Sequence, residues 1–298
     1  MPDELLEKLK KAILQSGYPL ELQAGAILEK YGWTCFHSVE YVNPETNTLR
    51  ELDIFAYKII RGRRIELRIS CKTSINKQWV FFTKDTSRHL DTFILKFTPV
   101  SDDHNSQWQI PLALKNLRFF SENKESVNYT VFTGTNVDRE GRSLLRDAIL
   151  SSLNSIYVYL IPDRLLFDAR GTLHFFLVLY RGKMYEANLN EDKTEMNIQD
   201  CNYIQWSGRF NISDKFSDIK IPNQQGKPVN FADALYWFRD RFRVEIISDT
   251  YFESYLRQTE EVFKQLSEEE LNLFGKEWNE ENFPQNLSPY PKLEPKEE

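Results

Sequence analysis

The chain is predicted to be an α/β protein, with a mixed central sheet flanked by helices and a C-terminal α/β extension. Three observations predict this. Two helical stretches open the chain; a hairpin of two long β-type runs, ELDIFAYKI and IELRISCKT, follows; and strand-like and helix-like segments then alternate to about residue 266. Its 298 residues can bury a large core, and 41% hydrophobic with 28% charged residues is an ordinary globular composition. Aromatic residues make up 14%, and core packing within strands accounts for most of them.

Residues 3–15 carry Leu5, Leu6, Leu9 and Ile13 near helical spacing, and Ser16-Gly17 breaks the run. Tyr18-Pro19 opens a second helix, where proline fits the first turn and Leu20, Ala24, Ile27 and Leu28 form the buried stripe. Glu21 falls early in that helix, near its positive dipole end, where a carboxylate is stabilised. Gly32 ends the helix, and TCFHSVEYV leads as a strand through Asn43-Pro44-Glu45-Thr46-Asn47 into the strand of Asp53.

The hairpin turns at Arg61-Gly62-Arg63-Arg64. Strand alternation puts Glu51 and Asp53 on one face of the first run, and Glu66, Arg68, Ser70 and Lys72 on one face of the second. A carboxylate and a lysine therefore meet at one strand end. A carboxylate can hold a divalent cation that activates water, and a lysine can orient that water or stabilise charge on a phosphorane, so Asp53 and Lys72 suit phosphodiester hydrolysis. Solvated charges on a surface hairpin would read the same way.

Residues 79–83 read as another strand, and Trp79 is a candidate to stack on a base or sugar, with core packing as its alternative. DDHNS at 102–106 is a loop, NYTVFTG a strand, and 138–153 a helix with Leu144, Leu145, Ala148, Ile149 and Leu153 on one side. IYVYLIP, LHFFLVLY and MYEANL are strands, the last two separated by a tight hairpin at Arg181-Gly182-Lys183. DCNYIQW, DIKIP and VEIISD are further strands, 230–243 a helix capped by Asn230, and 251–266 a helix. The expected divisions are a core over 1–135, an α/β extension or second domain over 136–252, and an acidic, helical and partly flexible tail over 253–298.

A net charge of −6 argues at first against nucleic acid. The tail from Glu253 carries 12 acidic and 5 basic residues, about −7, which leaves the rest near +1. Arg61, Arg63 and Arg64 form one basic cluster and Arg239, Arg241 and Arg243 another, each a candidate phosphate contact or a solvated surface. Three scattered cysteines without a C-x-x-C pair point to a reducing cytoplasm, and the four histidines show no zinc spacing. The amphipathic N-terminus is no signal peptide, and no apolar run reaches the ~20 residues that span a bilayer.

Asp53, the hairpin and Ser70-Cys71-Lys72 after an apolar strand resemble the PD-(D/E)XK nuclease superfamily, and GYPLELQAGAILEKYGW resembles its first helix. Cys71-Lys72-Thr73-Ser74 followed by Gln78-Trp79-Val80-Phe81-Phe82 is similar to a group of prokaryotic members; the match covers roughly the first 85 residues. The resemblance implies a restriction-endonuclease-like fold and hydrolysis of DNA. It also implies magnesium or manganese held by Asp53 and Glu21, and Lys72 as the catalytic lysine. Where the family has an acid two residues before the lysine, this chain has Ser70, expected to reach the metal through water. Glu66 lies roughly 13 Å along the strand, too far to replace it, so Glu21 is the better substitute and Glu51 a weaker one. A nucleic-acid-binding or assembly module with a degenerate site is the alternative, and an unrelated α/β protein a third. By analogy, two cuts on a duplex would favour a homodimer.

Overall fold

The structure, a computed structural model, describes residues 3–43, 48–85, 124–134, 136–137, 139–155, 172–190, 192, 194–207, 220–222, 228–230, 243–268 and 271. Two helices, α1 (Asp3–Gln15) and α2 (Tyr18–Lys30), precede β1 (Thr34–Asn43), β2 (Thr48–Ile60) and β3 (Arg63–Asp85). Then come β4 (Lys124–Thr133), β5 (Asn136–Val137), α3 (Arg139–Asn154), β6 (Thr172–Leu189), β7 (Met196–Asp200) and β8 (Tyr203–Ser207). The last elements are β9 (Lys220–Pro222), β10 (Pro228–Asn230), β11 (Arg243–Ser248) and α4 (Phe252–Gln265). The strands predicted at 156–162, the loop at 102–106 and most of the helix at 230–243 lie outside the described residues.

The fold is mixed α/β, with helices flanking a large mixed sheet of order β1-β2-β3-β4-β8-β11-β6-β7. The hairpin of β2 and β3 closes through two residues, Arg61 and Gly62, both at positive φ, the geometry a two-residue I′ turn demands. Alternation along β3 then sends Ile65, Leu67, Ile69 and Cys71 into one core with Leu20, Ala24 and Leu28 of α2 and Phe252, Tyr255 and Leu256 of α4. Each leucine, isoleucine or phenylalanine among them, fully buried, stabilises the fold by about 1.5–3 kcal/mol. On the opposite face Glu66 pairs with Arg64 (2.7 Å) and Arg68 (3.1 Å), and Arg68 also donates to the Ser155 carbonyl at the end of α3 (3.0 Å). By contrast, Leu5, Leu6, Leu9 and Ile13 of α1 remain exposed.

Two expectations are corrected. LHFFLVLY and MYEANL are a single strand, β6, whose two halves both pair in parallel with β3, from Arg64↔Thr172 to Thr73↔Arg181 and from Gln78↔Lys183 to Phe82↔Ala187. Between those runs four residues of β3, Ser74–Lys77, face one residue, Gly182. Gly182 is needed for close approach, since a Cβ there would lie 2.4 Å from Cζ of Tyr180. The segment 79–83 is likewise no separate strand but the far half of β3. Strands β6 and β11 lie within the sheet that holds β3, and α4 buries Phe252, Tyr255, Leu256 and Phe263 against β2 and β3 residues.

Candidate active site

Strands β2 and β3 pair from Ile60↔Arg63 up to Ile54↔Ile69. Beyond that point, among the described residues, β2 keeps only β1 as a neighbour, through Leu52↔Val39 to Thr48↔Asn43, while β3 continues beside β6 and then β4. The sheet thus forks at Asp53 and Ser70. A fork leaves backbone groups without ladder partners, and buried ones must find others. The Cys71 N–H finds the carboxylate of Asp53, donating to Oδ2 at 2.5 Å.

The same oxygen accepts from Ser70 Oγ at 3.1 Å and faces Lys72 Nζ at 3.6 Å. Lys72 and Asp53 side chains keep 31% and 17% of their surface, so the ion pair opens to solvent while its strand is buried. Opposite Asp53 on β1, Ser38 takes a positive φ of 53°. Around this point strict alternation is interrupted: Leu52 and Phe55, three residues apart, pack in one cluster with Val39 and Tyr41. Alternation alone therefore does not describe the face shared by Glu51 and Asp53.

Glu21 enters from α2. Its Oε1 lies 3.5 Å from the point a Cβ on Gly17 would occupy, and the Cys71 carbonyl lies 3.9 Å from that same point. Burial pushes the Glu21 carboxyl up from 4.5 to about 7, reinforced by the negative charges of Asp53 and Glu51 and opposed by Lys72. The four residues carried over from the sequence, Glu21, Asp53, Ser70 and Lys72, thus meet in one place. Glu51 joins them through its field on Glu21.

Ser70 differs from its expected role. It is 0% exposed and its hydroxyl donates to Asp53, so it is a partner of the carboxylate rather than a water-bridged ligand. Glu66 is engaged by Arg64 and Arg68, in keeping with its distance from the fork.

The residues expected to touch nucleic acid lie elsewhere. Trp79 is 2% exposed and stacks on Tyr180, with ring centroids 3.7 Å apart and planes 10° apart, so its ring face is already covered. Arg63 is 2% exposed and donates from Nε to the Leu271 carbonyl at 2.9 Å. Arg64 is buried against Glu66 and lies 4.3 Å from the Tyr57 ring. Arg61 binds the Leu266 carbonyl and Glu268 and reaches the Lys264 carbonyl at 3.2 Å. Arginine side chains can cap the carbonyls at a helix C-terminus, and here Arg61 does so at the end of α4. Arg239 and Arg241 lie outside the described residues.

The oxygen donors at the fork, two carboxylates and the Cys71 carbonyl, suit a hard cation rather than zinc. Among the described residues no three His, Cys, Asp or Glu side chains form a ligand group. No helix of the described residues is long and apolar enough to cross a membrane. Comparisons with protein-family models, curated proteins and solved structures find no match to this chain.

Proposed function

We propose that the chain is a divalent-metal-dependent, restriction-endonuclease-like enzyme that hydrolyses phosphodiester bonds of DNA. The observation that carries the reading is the meeting of Glu21 from α2 with Asp53, Ser70 and Lys72 where β2 and β3 part. These groups come from three separate elements. Solvated charges on a hairpin would not draw a half-buried helix glutamate to them.

Asp53 and Glu21 would hold magnesium or manganese, with the Cys71 carbonyl within reach as a further oxygen donor. The cation, when bound, acidifies water and offsets charge on the phosphoryl oxygens. Asp53 keeps its carboxylate fixed through the Ser70 and Cys71 donors. Lys72, 3.6 Å from Asp53, places an ammonium group where it can donate to the attacking water or to a phosphate oxygen.

A specific observation favours a second reading, a nucleic-acid-binding or assembly module without catalysis. Ser70 stands where the family carries an acid, and it is buried as a hydrogen-bond donor. Labelled single-stranded, duplex and branched DNA, with magnesium or manganese, separates the two. The enzyme reading expects cleavage that Asp53→Ala and Lys72→Ala both abolish. Binding of the same DNAs without cleavage by the natural protein would leave the module.

A further inference from the structure

We infer that Ser70 is a positioning residue that sets the orientation of the Asp53 carboxylate, leaving Oδ1 as the oxygen presented to a divalent cation. This rests on the proposed metal site. Three successive residues of β3 converge on the other oxygen, Oδ2: the Ser70 hydroxyl at 3.1 Å, the Cys71 N–H at 2.5 Å and the Lys72 ammonium at 3.6 Å. Among the described residues Oδ1 accepts no hydrogen bond. A carboxylate has about four acceptor sites, two on each oxygen, so donors crowded on one oxygen leave the lone pairs of the other for a metal.

Ser70 suits this work and no other at the fork. It is 0% exposed, its hydrogen is committed to Oδ2, and it occupies the register position facing Asp53, one step beyond Ile54↔Ile69. The Cys71 N–H is backbone and the Lys72 side chain keeps 31% of its surface, so Ser70 is the buried side chain that can fix the carboxylate's rotation. Partners of this kind, which bind a ligand rather than the metal, commonly change metal affinity ~10–100-fold when removed.

The inference reverses an expectation drawn from the family pattern. Restoring an acid by Ser70→Asp would not repair the site. The new carboxylate would stand beside Asp53 in a position without solvent, replacing a donor by a second negative charge.

The test is a manganese titration of the full chain, followed by calorimetry and by the paramagnetic resonance of free manganese. The natural protein is compared with Ser70→Ala, Ser70→Thr, Ser70→Asp and Asp53→Asn, after thermal melts confirm that each is folded. We expect Ser70→Ala to bind ~10–100-fold more weakly, Ser70→Thr, which keeps the hydroxyl, to stay near the natural affinity, and Ser70→Asp to weaken binding. Natural affinity in Ser70→Ala, or tighter binding in Ser70→Asp, would overturn the inference while Asp53→Asn still showed the site to be real. Equal binding by Asp53→Asn and the natural protein, or no binding by either, would overturn the metal site itself and the inference with it. A crystal structure of Ser70→Ala gives a readout free of metal: an Asp53 carboxylate in its original orientation would sink the positioning role.

Discussion

Glu260 on α4 and Lys58 on β2 are 202 residues apart in the chain and 2.7 Å apart in the fold. The same carboxylate accepts from Trp33 Nε1 at 3.1 Å, and Lys58 also donates to the Tyr31 carbonyl at 2.5 Å. One glutamate thus ties α4 to the end of α2, to the start of β1 and to β2. Its neighbours are largely buried, so water does not replace it. Glu260→Ala is expected to destabilise the protein by about 2–3 kcal/mol, because it strands an ammonium and an indole N–H. Urea unfolding gives the value, and Glu260→Gln, which keeps an acceptor, should lose less.

The arginines of the hairpin lead to a prediction that separates structure from binding. Arg63→Ala should cost about 1–3 kcal/mol of stability, since the Leu271 carbonyl loses its donor and a buried side chain is removed. DNA affinity measured over a range of salt should show the same slope for Arg63→Ala as for the natural protein. A slope lower by about one would mean that Arg63 neutralises a phosphate after all.

At the corner between the two halves of β3, Trp79 and Tyr180 form one stacked unit, and the Tyr180 hydroxyl donates to the Lys77 carbonyl at 2.6 Å. Trp79→Ala is expected to destabilise by about 3–5 kcal/mol through the cavity it leaves. Gly182→Ala should cost about 1–3 kcal/mol, because the added Cβ meets the Tyr180 ring at 2.4 Å. Chemical denaturation checks both, and the near-ultraviolet dichroism of the stacked pair should diminish in Gly182→Ala.

Glu21 makes stability depend on pH in a direction opposite to that of most carboxylates. Its carboxyl holds a proton up to about pH 7 in the fold, while the unfolded chain releases it near 4.5. Between those values the native state binds more protons, so this group's contribution to stability falls as pH rises. Glu21→Gln removes the effect. The substitution should raise the melting temperature more at pH 8 than at pH 5, in buffer without divalent cation; an equal gain at both would contradict the raised value.

Much of the site was legible because it is local. Asp53, Ser70 and Lys72 lie on two strands joined by a two-residue turn, and a hairpin register read from the chain brings them together. Glu21 was found through likeness to a family's first helix, not through spacing. The arginines and Trp79 misled for a shared reason: guanidinium groups and indole rings have the same chemistry toward a protein partner as toward DNA, and composition does not say which partner arrives. The partners are Leu266, Leu271 and Tyr180, supplied by other elements of the fold, and Glu66 two residues along the same strand as Arg64.

The sequence by itself determined the helices, the hairpin and the residue types at its fork, since these follow from periodicity, turn chemistry and neighbours close along the chain. Only the tertiary structure decided that β6 runs straight past Gly182, because its pairing with β3 outweighs a local turn signal. It also decided that α4 caps the hairpin and that Ser70 serves Asp53. Those outcomes depend on long-range burial, which strips water from polar groups and obliges each to take the partner that packing brings within reach.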